Sequence, residues 1–164
     1  SGTIMRQKMD YGAAIVGAAA LLALSEAGGL AQDKAGFVKQ RQDFMGKQQD
    51  DVNAIGAFAK GQGGQADAKA KAADLVSLAP KIVGWFEGKS DTSTTDLPGV
   101  SRAKPEIWQS FDKFKALVPV LQGEETKLVA AIDSGDRVAV GAQLGAMYKN
   151  GCGACHTDYR GPKT

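Results

Sequence analysis

From residue 32 onward, apolar side chains recur three and four positions apart in four separate stretches, with no strand-like alternation of any length. Each stretch therefore reads as a helix with one apolar stripe, and stripes of this kind are stable only when buried against one another. The expected fold is all-α, a bundle of four helices around a shared core. A chain of 164 residues, 43% hydrophobic and 23% charged, is long enough for one such core and too short for a second full domain.

The first stretch runs from about Lys34 to Lys60, with Val38, Met45, Val52, Ile55 and Ala59 along its stripe, and stops at Gly61 before the Gly63-Gly64 loop. The second, from about Gln65 to Val83, is rich in Ala and Lys and carries Leu75, Val76 and Leu78. Residues 84–104 read as a long connection ending in turn-forming Pro98-Gly99 and the segment that follows it. Pro105 suits the first turn of the third helix, whose buried face is Ile107, Trp108, Phe111, Phe114 and Leu121. Pro119 is expected to kink or split that helix. The fourth starts with Asp136 as N-cap and continues through Leu144, Met147 and Tyr148.

Residues 1–31 have the anatomy of a secretory leader, namely Met5-Arg6-Gln7-Lys8, an apolar run from about Ala13 to Leu24, and small residues ending at Gly29-Leu30-Ala31. Ser1 to Ile4, ahead of the expected initiator Met5, read as an upstream scar or a misplaced start. The apolar run is shorter than the roughly 20 apolar residues that span a bilayer, so a retained anchor is the lesser reading. Cleavage after Ala31, or alternatively near Ala27, would leave residues 32–164 as the mature domain. The expected location is the periplasm, with no membrane attachment after cleavage. Lys and Arg number 20 against 18 Asp and Glu, scattered along the chain, which argues against nucleic acid as a partner.

Two cysteines and a single histidine make up the chain's whole supply, and all lie within Cys152-Gly153-Ala154-Cys155-His156. A disulfide between cysteines so close would constrain almost nothing in the unfolded chain. Cys-x-x-Cys-His is the signature of c-type haem attachment. Thiols three apart on a helical turn share a face, where both can form thioethers to one porphyrin edge, and the next residue can turn its imidazole to the iron. The rivals are a zinc site, which normally needs four protein ligands, a thioredoxin-type pair, which belongs at a helix N-terminus after a strand, and a chance grouping.

The surroundings of the motif resemble the class II c-type cytochromes, whose best-known members are the cytochromes c prime. The resemblance covers nearly all of residues 32–164 and is carried by Gly151 to Arg160, by Thr95-Asp96-Leu97-Pro98-Gly99 with Ala103-Lys104-Pro105-Glu106-Ile107-Trp108, and by Arg41-Gln42-Asp43-Phe44-Met45. It implies an antiparallel four-helix bundle, often a homodimer, with one covalent haem c near the C-terminus. It further implies Cys152 and Cys155 as thioether residues, His156 as proximal iron ligand, Arg41 beside a haem propionate, and Arg160 beside the proximal histidine.

Position 45 separates two branches of that family. A noncoordinating side chain leaves the iron five-coordinate and open to nitric oxide or carbon monoxide, whereas methionine supplies a distal sulfur in the low-spin branch. Met45, with the following Ile55 to Gly61, resembles the low-spin branch, which implies His/Met ligation and a periplasmic single-electron carrier working with redox partner proteins. A one-residue change of register would put Phe44 over the iron instead, and Met147 is a weaker candidate on the proximal helix. The alternative function is a five-coordinate protein that binds nitric oxide or carbon monoxide. An enzyme is not expected, because no second histidine is left to assist bond cleavage on the distal side.

Overall fold

Four helical segments meet along apolar stripes in the computed structural model, which describes residues 16–163. The helices are α1 (Val16–Ala59), α2 (Gln65–Leu78), α3 (Glu106–Gln109), α4 (Phe111–Lys115), α5 (Leu117–Ser134), α6 (Arg137–Met147) and α7 (Gly153–Tyr159). A π-helical turn, Tyr148–Cys152, joins α6 to α7. The chain divides into two units, Ser1–Asp33 and Lys34–Thr164, and the bundle is the second. Of the candidate leader, residues 1–15 lie outside the described residues, and the remainder is helical from Val16. No helix among the described residues is long and apolar enough to cross a membrane.

The stripes fall where their spacing places them. Val38 and Ile55 are buried on α1, with Met45, Val52 and Ala59 packed half-buried beside the core. Leu75 and Leu78 are buried on α2, but Val76 points outward, and Ala68 and Ala72 complete the inner face in place of larger residues. From the later helices come Ile107, Phe114, Leu128, Ile132, Val140 and Met147. Burying one such aliphatic side chain contributes roughly 1.5–3 kcal/mol, so these faces dominate the stability of the fold.

Prolines set the boundaries that periodicity does not reveal. α2 ends at Leu78, five residues before Val83, and the chain tightens into 3₁₀ turns at Ala79–Lys81 and Val83–Trp85. Pro80 has no N–H to continue the α-helical ladder. The third helix is split in three, at Ser110 and at Ala116, and not at Pro119 itself. Pro119 sits in the first turn of α5, where N–H groups lack intrahelical acceptors, so the break falls just upstream of it.

α5 closes on Gly135, whose φ of 74° is the left-handed conformation a helix stop favours. Asp136 then caps α6, accepting from the amides of Val138 and Ala139 at 3.0 and 3.1 Å. Between α2 and α3 the long connection carries only a 3₁₀ turn, Ser90–Thr92, beyond those that end α2, yet Thr92, Ser93 and Ser101 are buried in it. The reason for that burial lies on α1.

Candidate haem site

Two glycines shape the backbone around Cys152. A Cβ on Gly151 would stand 2.9 Å from Leu121 Cδ1 and 3.4 Å from Leu121 Cα, so the absence of a side chain lets α5 approach the π turn. A Cβ on Gly153 would stand 3.0 Å from the carbonyl oxygen of Tyr148. The wider π ring ends at Cys152, and α7 then carries Cys155 and His156. Both cysteines are free and half-buried against the core cluster.

Burial controls the chemistry of all three residues. It pushes the Cys155 thiol up to about 11, helped by the neighbouring Cys152, and raises Cys152 as well. A reactive thioredoxin-type cysteine needs the opposite shift, so that rival loses its footing. No group of three or more His, Cys, Asp or Glu side chains suited to a metal ion occurs among the described residues, short of the four ligands a zinc site normally takes. His156 is lowered to about 4, first by burial and then by the charges of Arg160 and Arg102. Its imidazole is therefore neutral near pH 7, the form that coordinates iron.

The segment that holds α7 comes from the long connection. Lys104 N–H donates to Tyr159 O at 3.0 Å, Gly161 N–H to Arg102 O at 2.7 Å, and Arg102 Nε to Gly161 O at 2.9 Å. Ala103 and Arg160 form an isolated antiparallel bridge. Arg160 is exposed and acts on His156 by charge. Arg102 was not among the sequence candidates. A pairing of two residues 57 positions apart leaves no periodic signal, and only its position within the Arg102-Ala103-Lys104 segment could have drawn notice.

On α1, Arg41 is 4% exposed. Its guanidinium donates to Thr92 Oγ1 at 3.0 Å, Thr92 O at 3.2 Å and Ser101 Oγ at 3.3 Å, and lies 4.8 Å from the Phe86 ring centre. These acceptors explain the buried hydroxyls of the connection. All are neutral oxygens, and burial lowers Arg41 to about 10. A buried cation held without a carboxylate suits a second, anionic partner of the kind a propionate provides.

One turn further, Met45 packs against the same apolar cluster as Cys152 and Cys155, and its sulfur accepts from Gln48 Nε2 at 3.5 Å. Phe44 instead pairs with Trp85, ring centres 5.4 Å apart. Met147 is buried in the core, 3.6 Å from the place a Gly151 Cβ would occupy. Two surface hollows of about 500 and 480 Å³ are lined by other residues and do not include the cysteine motif. Neutral thiols on one short segment and a neutral imidazole are the donor set of a covalent haem, a buried arginine with no carboxylate partner suits a haem propionate, and the residues fit the group.

A family profile described as Cytochrome C' matches residues 36–160. A cytochrome c-556 from Agrobacterium tumefaciens (strain II Chrys) is 30% identical over 126 residues, covering 77% of this chain and 98% of that protein. A solved cytochrome c' from Rhodobacter spheriodes superposes with a TM-score of 0.67 at 28% identity, covering 78% of this chain and 97% of the other. The nitric oxide complex of a cytochrome c prime variant from Alcaligenes xylosoxidans gives 0.60 at 29% identity, covering 77% and 94%.

Proposed function

The chain belongs to the cytochrome c' family, and from that membership we propose that it is a monohaem c protein of the periplasm whose haem iron binds nitric oxide or carbon monoxide. Cys152 and Cys155 hold the haem as thioethers, and His156 is the proximal ligand. The bound haem supplies an iron that changes oxidation state by one electron and takes small diatomic ligands. The chain's own residues position it. Gly151 and Gly153 leave room for the turn that carries Cys152, burial together with the charges of Arg160 and Arg102 keeps His156 unprotonated, and Arg41 pairs with a propionate.

The observation that carries the gas-binding reading is the similarity to a structure named as a nitric oxide complex. A second reading, a His156/Met45 electron carrier acting with redox partner proteins, is favoured by Met45 lying on α1 in the cluster that includes both cysteines. The leader-like residues 1–31 support export in either case.

Absorption spectra of the haem-loaded protein, oxidised and reduced, with and without nitric oxide, test the choice against a Met45→Ala variant. A high-spin ferric spectrum, unchanged by the substitution and converted by nitric oxide in both proteins, supports gas binding. A low-spin spectrum that becomes high-spin only in Met45→Ala would transfer the assignment to the electron carrier.

A further inference from the structure

Glu125 lies on α5 one turn beyond Leu121, the residue that meets Gly151 in the π turn. It is 2% exposed, and its Oε2 has no hydrogen-bond partner among the described residues. The thiol it acts on by charge is Cys152, the first attachment cysteine. A carboxylate in this position is costly unless a cation or a hydrogen-bond donor compensates it.

Charged groups on the elements packed against α5 either bond elsewhere or are exposed: Arg137 of α6 donates to Phe58 O, and Asp67 of α2, Lys113 of α4 and Lys149 of the π turn are exposed. On α5 itself Lys127 bonds Glu124, and from α6 Gln143 donates to the same Glu124. From α2, Lys71 pairs with Asp51, Lys69 with Asp133, and Asp74 with Lys47. From α4, Lys115 pairs with Asp112, while Lys81 in the 3₁₀ turn is exposed. In the π turn, the charge of Glu125 helps to raise the Cys152 thiol, and that sulfur becomes an uncharged thioether on haem attachment. Arg160, beyond α7, is exposed and acts on Cys152.

We propose that Glu125 is the proton acceptor coupled to haem reduction: when a one-electron donor, protein or small molecule, reduces the ferric iron, the Glu125 carboxylate takes one proton from solvent. One electron enters the iron and one O–H bond forms on the carboxyl group, so the buried site gains no net charge. Oxidation reverses both events. Added negative charge nearby favours the protonated carboxyl, and by linkage the ionised carboxylate favours the ferric state. Burial alone already raises Glu125 to about 7, so the exchange operates near neutral pH. The inference rests on haem attachment at Cys152 and Cys155 and holds with either distal arrangement.

Redox titration of the haem-loaded protein from about pH 5 to about pH 9, with Glu125→Gln alongside, tests it, together with redox-difference infrared spectra. The native protein should lose potential as pH rises through neutrality, approaching at most about 59 mV per tenfold fall in proton concentration. Glu125→Gln should be flat over that window, and the protonated-carboxyl band that the native protein gains on reduction should be missing from it. Equal slopes in the two proteins, or no carboxyl band in the native protein, overturn the proposal. If Glu125→Gln does not fold, Glu125→Asp decides: it should keep the slope with a displaced midpoint, and a midpoint identical to the native one overturns the assignment. A haem-stained denaturing gel separates this failure from that of the haem reading, since a native protein without covalent haem defeats both.

Discussion

Arg41 illustrates how one residue can organise a segment with little regular structure of its own. Its guanidinium is the donor for Thr92 Oγ1, Thr92 O and Ser101 Oγ, and the Ser101 hydroxyl in turn donates to Thr92 O at 2.6 Å. Truncation would leave these buried oxygens short of a donor and remove the stacking on Phe86. Arg41→Ala is expected to destabilise the haem-loaded protein by about 2–4 kcal/mol. Arg41→Lys should recover less than half of that, because a point cation cannot reach the same fork of acceptors. Urea denaturation midpoints measure both. Equal stability of native and Arg41→Ala proteins would mean that the connection is held without the guanidinium.

At the scale of elements, α1 and α2 are joined by charge as well as by apolar contact. Lys47 pairs with Asp74 at 2.6 Å and Lys71 with Asp51 at 3.2 Å. Asp51 is 1% exposed, and burial, with Asp74 nearby, holds its carboxyl above the ordinary range. The pair is thus costly to break from one side only. Lys71→Met should destabilise the bundle by about 1–3 kcal/mol, and adding Asp51→Asn should restore most of the loss. A thermodynamic cycle on the two single variants and the double variant reads this directly; additive losses would show that the residues do not act as a pair.

Across the bundle as a whole, stability carries a pH signature from Glu125. Burial moves its carboxyl from the ordinary 4.5 to about 7, so between these values the native chain binds more protons than the unfolded chain. The sign follows: this contribution is complete below the unfolded value and declines as pH rises through the folded one. Glu125→Gln should lack that decline and exceed the native protein in stability at pH 8, by no more than about 3 kcal/mol. Unfolding of both haem-loaded proteins at pH 5 and pH 8 compares them, and a native protein that gains stability over this interval relative to the variant contradicts the burial of an unpaired carboxyl.

Much of this protein was legible from local spacing. Helical stripes, the Asp136 cap and the haem motif are relations between residues a few positions apart, and such relations survive in a one-dimensional string because a helix repeats every 3.6 residues. The splitting of the third helix upstream of Pro119, the π turn that ends at Cys152, and the exposure of Val76 depended on packing from other elements. So did the sites. Arg41 finds its acceptors 51 and 60 residues away, and Arg102 reaches Gly161 across 59. The sequence by itself determined the helices and the covalent attachment of haem, since both are local chemistry. Only the tertiary structure decided which charged side chains lie buried and unpaired, because burial is a property of neighbours brought together by folding.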